Sequence, residues 1–303
     1  MIALSYVLRA PYLGISPQDT GVTNKGATKF NALELTLRKQ FSHGLQMEAN
    51  YTWSKTLNLG STESSQVGAT APDVLHFNPN NAKLFAYAES GYYHPSRLAL
   101  NFHYEFPFKE KGNVVHKVFG GWSAMGVWIW QDGDPLTITD AGGGSVYFGG
   151  TGNTNFLVPG QLMPGKRPKD ALAHGSMSSK ALHGYFNPTA LCTTSAALNA
   201  ANGNAGCVYP NTGNSSDTEY GNFPYSSVLG PGQNNVDFTI ARAAKVGGIN
   251  ENGEVQFRAE FFNLFNHAQF SIPNTVDSGG ALGQITSTSV NPRLVQFALK
   301  YQF

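Results

Sequence analysis

The amino-acid sequence predicts an all-β fold, an antiparallel transmembrane β-barrel wall of about eight strands with short periplasmic turns and long extracellular loops. Two observations carry this expectation. Apolar and polar residues alternate with period two in segment after segment. The connections between those segments are long and short by turns along the chain. A third observation agrees: the 303 residues contain no apolar run long enough for a transmembrane helix, which needs about 18 or more.

The strands follow in order. Residues 1–8 open on a weak strand-like pattern. Leu33, Leu35 and Leu37 oppose Glu34, Thr36 and Arg38. Leu45, Met47, Ala49, Tyr51 and Trp53 oppose Gln46, Glu48, Asn50 and Thr52. Leu98, Leu100, Phe102, Tyr104 and Phe106 oppose Ala99, Asn101, His103 and Glu105. Residues 122–131 are strand-like but apolar on both faces, so the pattern does not say which way they face. Val236, Phe238 and Ile240 oppose Asp237 and Thr239; Val255, Phe257, Ala259 and Phe261 oppose Gln256, Arg258 and Glu260. In the last segment Val295, Phe297, Leu299, Tyr301 and Phe303 share one face, and Gln296, Ala298, Lys300 and Gln302 the other. Most of these segments reach the roughly 9–11 residues a tilted strand needs to cross a bilayer. No segment keeps a helical period.

Long connections (9–28, 58–94, 135–234 and 268–291) alternate with short turns at Ser42-His43-Gly44, near 109–117 and near 247–253. Membrane barrels are built this way, with short periplasmic turns and longer extracellular loops. Placing Phe303 at the periplasmic rim puts every short turn on that side. The whole chain, 1–303, reads as one barrel domain with a long extracellular loop at 135–234, a length with room for small strands of its own.

Composition narrows the function. Charged residues are 13% of the chain and the net charge is +1, so there is no basic field of the kind that neutralises phosphates, and nucleic acid is not an expected partner. Aromatics reach 12% and glycines number 34. The mean hydropathy of -0.23 is also that of a barrel averaging a lipid face with a polar lumen. Met1 to Leu8 lack a basic start and a small-residue cleavage site. A secreted barrel needs such a signal, so the natural N-terminus is expected upstream.

Candidate chemistry is sparse. Cys192 and Cys207 sit in one Gly/Asn/Ala-rich stretch without a CxxC or His partner set. A local disulfide is the plainer reading, with a stabilisation of about 3 kcal/mol; two free thiols in a loop is the other. Tyr51, Trp53, Tyr104, Phe106, Trp128, Trp130, Phe265 and Phe270 lie near strand ends, as aromatic girdles do. Glu34, Arg38, Glu48, Glu105, Arg258 and Glu260 all fall opposite the apolar face and would line the lumen, paired across strands. Asp132-Gly133-Asp134 lacks the further ligands of a calcium loop and reads as a strand-end turn. No HExxH, GxSxG or Walker pattern occurs, so neither an enzyme, a metal nor a cofactor is expected. The terminal Phe297, Leu299, Tyr301 and Phe303 resemble the C-terminal signature by which barrels are recognised for assembly.

Several stretches resemble the TonB-dependent receptor superfamily, in particular its Oar-like barrels. They are Asn31-Ala32-Leu33-Glu34-Leu35, Tyr51-Thr52-Trp53-Ser54-Lys55 and Tyr185-Phe186-Asn187-Pro188. The most specific is Phe257-Arg258-Ala259-Glu260-Phe261-Phe262-Asn263-Leu264-Phe265-Asn266-His267. Gly283-Gln284-Ile285-Thr286-Ser287-Thr288 and Asn291-Pro292-Arg293 follow it. The resemblance implies a parent barrel of roughly 22 strands with a plugged lumen, a TonB-contacting box near its N-terminus and a location in the bacterial outer membrane. This chain would be its C-terminal portion, supplying wall and ligand-facing loops. Its implied partners are outer-membrane lipid, the barrel-assembly machinery, an unknown ligand and, through N-terminal parts not seen here, the TonB complex. Two rival readings remain: a self-contained eight-stranded barrel acting as anchor or adhesin, and a soluble β-sandwich that binds carbohydrate.

Overall fold

The computed structural model describes residues 27–59, 87–89, 94–108, 120–140, 158–192, 222–245, 253–277 and 281–302. The long strands are β1 (Ala27–Ser42), β2 (Leu45–Leu59), β4 (Ser96–Glu105) and β5 (Trp122–Gln131), then β12 (Gln233–Lys245), β13 (Glu254–Phe262) and β15 (Leu294–Gln302). Together with the short β3 (Tyr87–Glu89) they form one eight-stranded antiparallel sheet in the order β1-β2-β4-β5-β12-β13-β15, with β3 added to β2. Neighbours in space are neighbours in sequence, as in an up-and-down meander. The candidate strand at residues 1–8 lies outside the described residues.

The register carries the alternating pattern across the whole sheet. Leu35 stands opposite Tyr51, Tyr51 opposite Leu98, and Leu98 opposite Trp130. Further along, Trp128 faces Val236, Phe238 faces Phe261, and Phe261 faces Val295. Because side chains alternate strictly, one slip by a single residue would turn a strand's apolar set to the other side; β1 and β2 show such a shift only between Lys39 and Ser42, next to their turn, and the pairs named above stay in phase. The result is one continuous apolar face, with aromatic contacts along it: Phe238 lies 6.4 Å from Phe261, and Phe257 stacks on Phe297 at 6.3 Å.

The two-sided apolar strand is settled by its partners. Trp122, Ala124, Trp128 and Trp130 join the apolar face. Ser123, Met125, Val127, Ile129 and Gln131 join the polar one, with Val127 between Asn101 and Asp237.

Two residues, His43 and Gly44, close the β1–β2 hairpin with φ of 52° and 79°. Positive φ at both central positions matches the twist of the flanking strands, and glycine adopts it without strain. At the other end β1 and β2 continue past Trp53, opposite which β4 begins, to the Ala27–Leu59 pair. That is roughly 20 Å of extra hairpin at about 3.3 Å per residue.

The packed core lies elsewhere. Between β5 and β12 the chain makes β6 (Pro135–Leu136), β7 (Thr139–Asp140), β8 (Val158–Pro159), β9 (Gln161–Leu162), β10 (Leu191–Cys192) and β11 (Val228–Leu229). It also makes one short helix, α1 (Met177–His183), and two 3-10 turns at 168–171 and 188–190. Leu136, Ile138, Leu162, Tyr185, Phe186, Leu191, Phe223 and Val228 pack into a single buried cluster. Burying a large apolar side chain fully is worth about 1.5–3 kcal/mol, and Phe223 and Leu136 are fully buried here. This long connection is therefore a small folded domain, built on the small strands its length allows.

A second connection joins it. In the β13–β15 link, β14 (Val276–Asp277) pairs in parallel with β7, which pairs with β8. Leu282 and Ile285 pack against the core cluster, and the Tyr185 N–H donates to the Gly283 carbonyl at 2.9 Å.

Where the structure departs from expectation, the cause is tertiary. The β2 strand runs to Leu59 and β3 forms inside the expected 58–94 loop, because β2 offers a free ladder beyond Ser96. The strand at 236–240 extends to 233–245, since β5 and β13 pair along both its sides. A short helix exists where none was expected; Ser176 caps it by accepting from the Ser179 N–H at 3.2 Å.

Candidate functional site

The rim that bears the long connections gathers the built features of the molecule. At its neck the chain leaves β5 through Asp132-Gly133-Asp134 and returns through Gly230 to β12. A Cβ at Gly133 would run into the carbonyl of Gly230. Only glycine lets the two backbones cross here, and the Gly230 N–H donates to the Asp134 carbonyl at 2.8 Å. The acidic pair is a backbone crossing rather than a strand-end turn. Beyond it, β6 and β11 zip the two ends together.

His94 holds the neck to the wall. Its Nδ1 lies 3.4 Å from Asp134 Oδ1, and its Nε2 lies 3.1 Å from Gln131 Nε2. Burial pushes the Asp134 carboxyl above its ordinary range, and His94 offsets part of that rise.

The second feature is a clamp at the top of β12, β13 and β15. Asn263 is buried and takes a φ of 51°. Its backbone N–H donates to Asp237 Oδ1 at 2.8 Å. Its side-chain oxygen accepts from the His267 N–H, and its Nδ2 donates to the carbonyls of His267 and Asn291. Asn266, also at positive φ, accepts from the Arg293 N–H. Buried Gln269 pairs its side-chain amide with both the N–H and the carbonyl of Asn234, in place of a neighbouring strand. The Asn-Leu-Phe-Asn-His run is thus a three-strand lock. Its function in the fold was missed from sequence; asparagine at two turn positions, able to adopt positive φ, was the available signal.

The polar face carries the charges expected of it. Arg38 meets Glu48 at 2.9 Å, Asn50 donates to Glu48, and Thr36 to Asn50. Arg258 meets Glu260 at 3.3 Å. Glu34 and Glu105 lie on the same face, opposite Thr52 and Ser123. Two cations on the apolar face sit beside the short turns: Lys39 donates to Ser42, and Arg242 lies over Trp122 while donating to the Gly120 carbonyl. Long basic side chains are tolerated there because they reach back to water.

Among the girdle candidates, Tyr51, Trp53, Tyr104, Trp128 and Trp130 fall on the apolar face. Phe270 does not belong to the wall; it bridges to Thr288 within the last connection. Phe297, Leu299 and Tyr301 project on the apolar face of β15, opposite Ala259, Phe257 and Val255, while Phe303 lies outside the described residues. Cys192 is buried in the loop domain, its Sγ 3.5 Å from Met163 Sδ; Cys207 lies outside the described residues. Among the described residues no group of three or more His, Cys, Asp or Glu is placed to hold a metal, and no helix is long and apolar enough to cross a membrane.

An antiparallel meander with one lipid-type face, one polar face and long connections at a single rim defines a membrane β-barrel wall. Residues 3–296 match the family model described as an outer membrane beta barrel domain, and the chain belongs to that family. It is a protein of the bacterial outer membrane. No curated protein and no solved structure matches it.

Proposed function

We propose that the chain is the C-terminal barrel segment of an Oar-like TonB-dependent receptor, supplying wall and ligand-facing loops and no catalysis. In this reading the long-connection rim faces the medium. A plug and a TonB-contacting box, carried by other parts of the receptor, provide energy coupling. The apolar face meets lipid, and its aromatic C-terminal pattern serves recognition by the assembly machinery. Cys192 and Cys207 form a disulfide that closes the loop domain.

The observation that carries the reading is the loop domain itself. Two connections from different strand pairs fold around one core, giving a shaped surface at one rim of the sheet. The receptor-like stretches also occupy structural key points: Asn263 in the strand lock, and Tyr185 and Phe186 in the loop core. The rival is a self-contained barrel acting as anchor or adhesin, which the same displayed domain would also suit; against it, the described wall has seven long strands, and β1 and β15 do not pair with each other.

Antibody raised against 158–192 decides between them on blots of outer membranes from the source cell. A band well above 32.6 kDa, the mass of this chain, is expected. A heat-modifiable species at 32.6 kDa would overturn the receptor reading and support the anchor.

A further inference from the structure

The loop domain as a whole is neutral, Lys166, Arg167, Lys169 and Lys180 being balanced by Asp140, Asp170, Asp217 and Glu219, but its cations are concentrated in one segment. Of the ionisable side chains between 158 and 192, Lys166, Arg167, Lys169 and Lys180 are cationic and Asp170 alone is anionic, in a protein of net charge +1. Asp170 is also engaged by Arg167: its carboxylate accepts from the Arg167 N–H at 2.8 Å and meets the Arg167 side chain at 3.6 Å. Those contacts hold it below the ordinary carboxylate range.

Within this segment lies an open depression of about 300 Å3 between α1 and the 3-10 turn at 188–190. Its walls carry His174, Lys180 and His183, with Ser179 beside them and Phe186 and Pro188 as apolar surface; among the described residues no carboxylate lines it. Three nitrogen-bearing side chains border one hollow, and none of its described lining residues is an acid. Lys180 is also positioned from below, its Nζ 5.1 Å from the centre of the Tyr185 ring. Tyr185 is in turn fixed by donating its hydroxyl to the Leu229 carbonyl at 2.8 Å. Burial pushes that hydroxyl up to about 12, so it stays a neutral donor. A cation anchored on a buried ring loses less freedom on meeting a ligand than one swinging in solvent.

We infer that this depression is an oxyanion-binding site, taking a phosphate or carboxylate group through Lys180, His174 and His183. The donors suit such a group: ammonium and imidazole N–H bonds to an anion are charge-assisted and stronger than neutral ones. Phe186 and Pro188 leave room for the apolar body that carries it. The inference takes from the receptor reading only that this surface faces the medium; the site itself stands on the loop-domain geometry. Two sources share the chemistry, a dissolved oxyanion and a phosphate-bearing lipid headgroup of the surrounding leaflet.

The test uses the whole chain in phosphatidylcholine nanodiscs with histidine-selective carbon labelling. Inorganic pyrophosphate is titrated while the imidazole signals of His174 and His183 are followed. Both are expected to shift saturably, and Lys180→Gln to weaken binding about tenfold or more. Lys166→Gln, outside the depression, is expected to leave it unchanged. Response to dissolved pyrophosphate identifies a soluble oxyanion. A response seen only when phosphatidic acid is built into the nanodisc identifies the headgroup. Either supports the site. Absence of a saturable shift in both arms, or an equal shift in Lys180→Gln, overturns it. His183→Gln is a second variant, and the retained dispersion of the other histidine signals reports that each variant is folded. Failure here would leave the blot for the parent receptor unaffected, so the two ideas fall separately.

Discussion

Replacing Asn263 by alanine removes three side-chain hydrogen bonds at once: one accepted from the His267 N–H at 3.0 Å, and two donated, to His267 O at 3.1 Å and Asn291 O at 3.2 Å. Each contributes about 1 kcal/mol net when its partners are not left stranded, and more when they are. Alanine must also hold a φ of 51°, at a further cost of about 1 kcal/mol. The expected loss is about 4 kcal/mol, large beside the stability of an ordinary domain. Asn263→Gly separates the two causes. It loses the same bonds without the backbone strain, and is expected to be less destabilised than alanine by about 1 kcal/mol. Asn263→Asp keeps the acceptor for His267 but turns a carboxylate toward two carbonyl oxygens, with Asp237 already beside its backbone; it should be worse than glycine. Urea unfolding of the protein in lipid vesicles measures the series. Hydrogen exchange at Asn234, Asn263 and His267 should show the damage centred on the tops of β12, β13 and β15. If alanine and glycine variants unfold alike, each within about 1 kcal/mol of the parent, the account of Asn263 as a lock is wrong.

Three further outcomes are expected. Gly133→Ala should loosen the neck of the loop domain, seen as faster proteolysis within 158–192, whereas Gly165→Ala, with nothing within 4 Å of its Cβ, should show only backbone strain. The raised carboxyl of Asp134 binds its proton more tightly in the folded state, so its stabilising effect is complete below the ordinary aspartate range and is lost as pH rises through the raised value. Asp134→Asn should abolish that part of the pH dependence in thermal melts. Leu100→Arg, on the apolar face, should cost roughly 2–4 kcal/mol in vesicle unfolding, while Asn101→Arg next to it, on the polar face, should cost far less.

Much of the wall was legible in the linear pattern because a strand's side-chain period is two regardless of what it packs against. Leu98 to Tyr104, or Val255 to Phe261, name their own face. The charges Glu34, Arg38, Glu48, Glu105, Arg258 and Glu260 fell on the polar side for the same reason. β5 was different. With Met125, Val127 and Ile129 on one side and Trp122, Trp128 and Trp130 on the other, its facing followed only from β4 and β12 on either side.

The sequence by itself determined the long strands of the wall and, except for β5, their phase, because these depend on local periodicity and on turn chemistry such as His43-Gly44. Tertiary structure alone decided that the long connection is a folded domain. Its core joins Leu136, Phe186 and Phe223, residues far apart in the chain, and closes only when Leu282 and Ile285 arrive from another loop. The gathering of His174, Lys180 and His183 around one hollow was equally invisible: no motif spaces them, and the turn of α1 against the 3-10 segment brings them together.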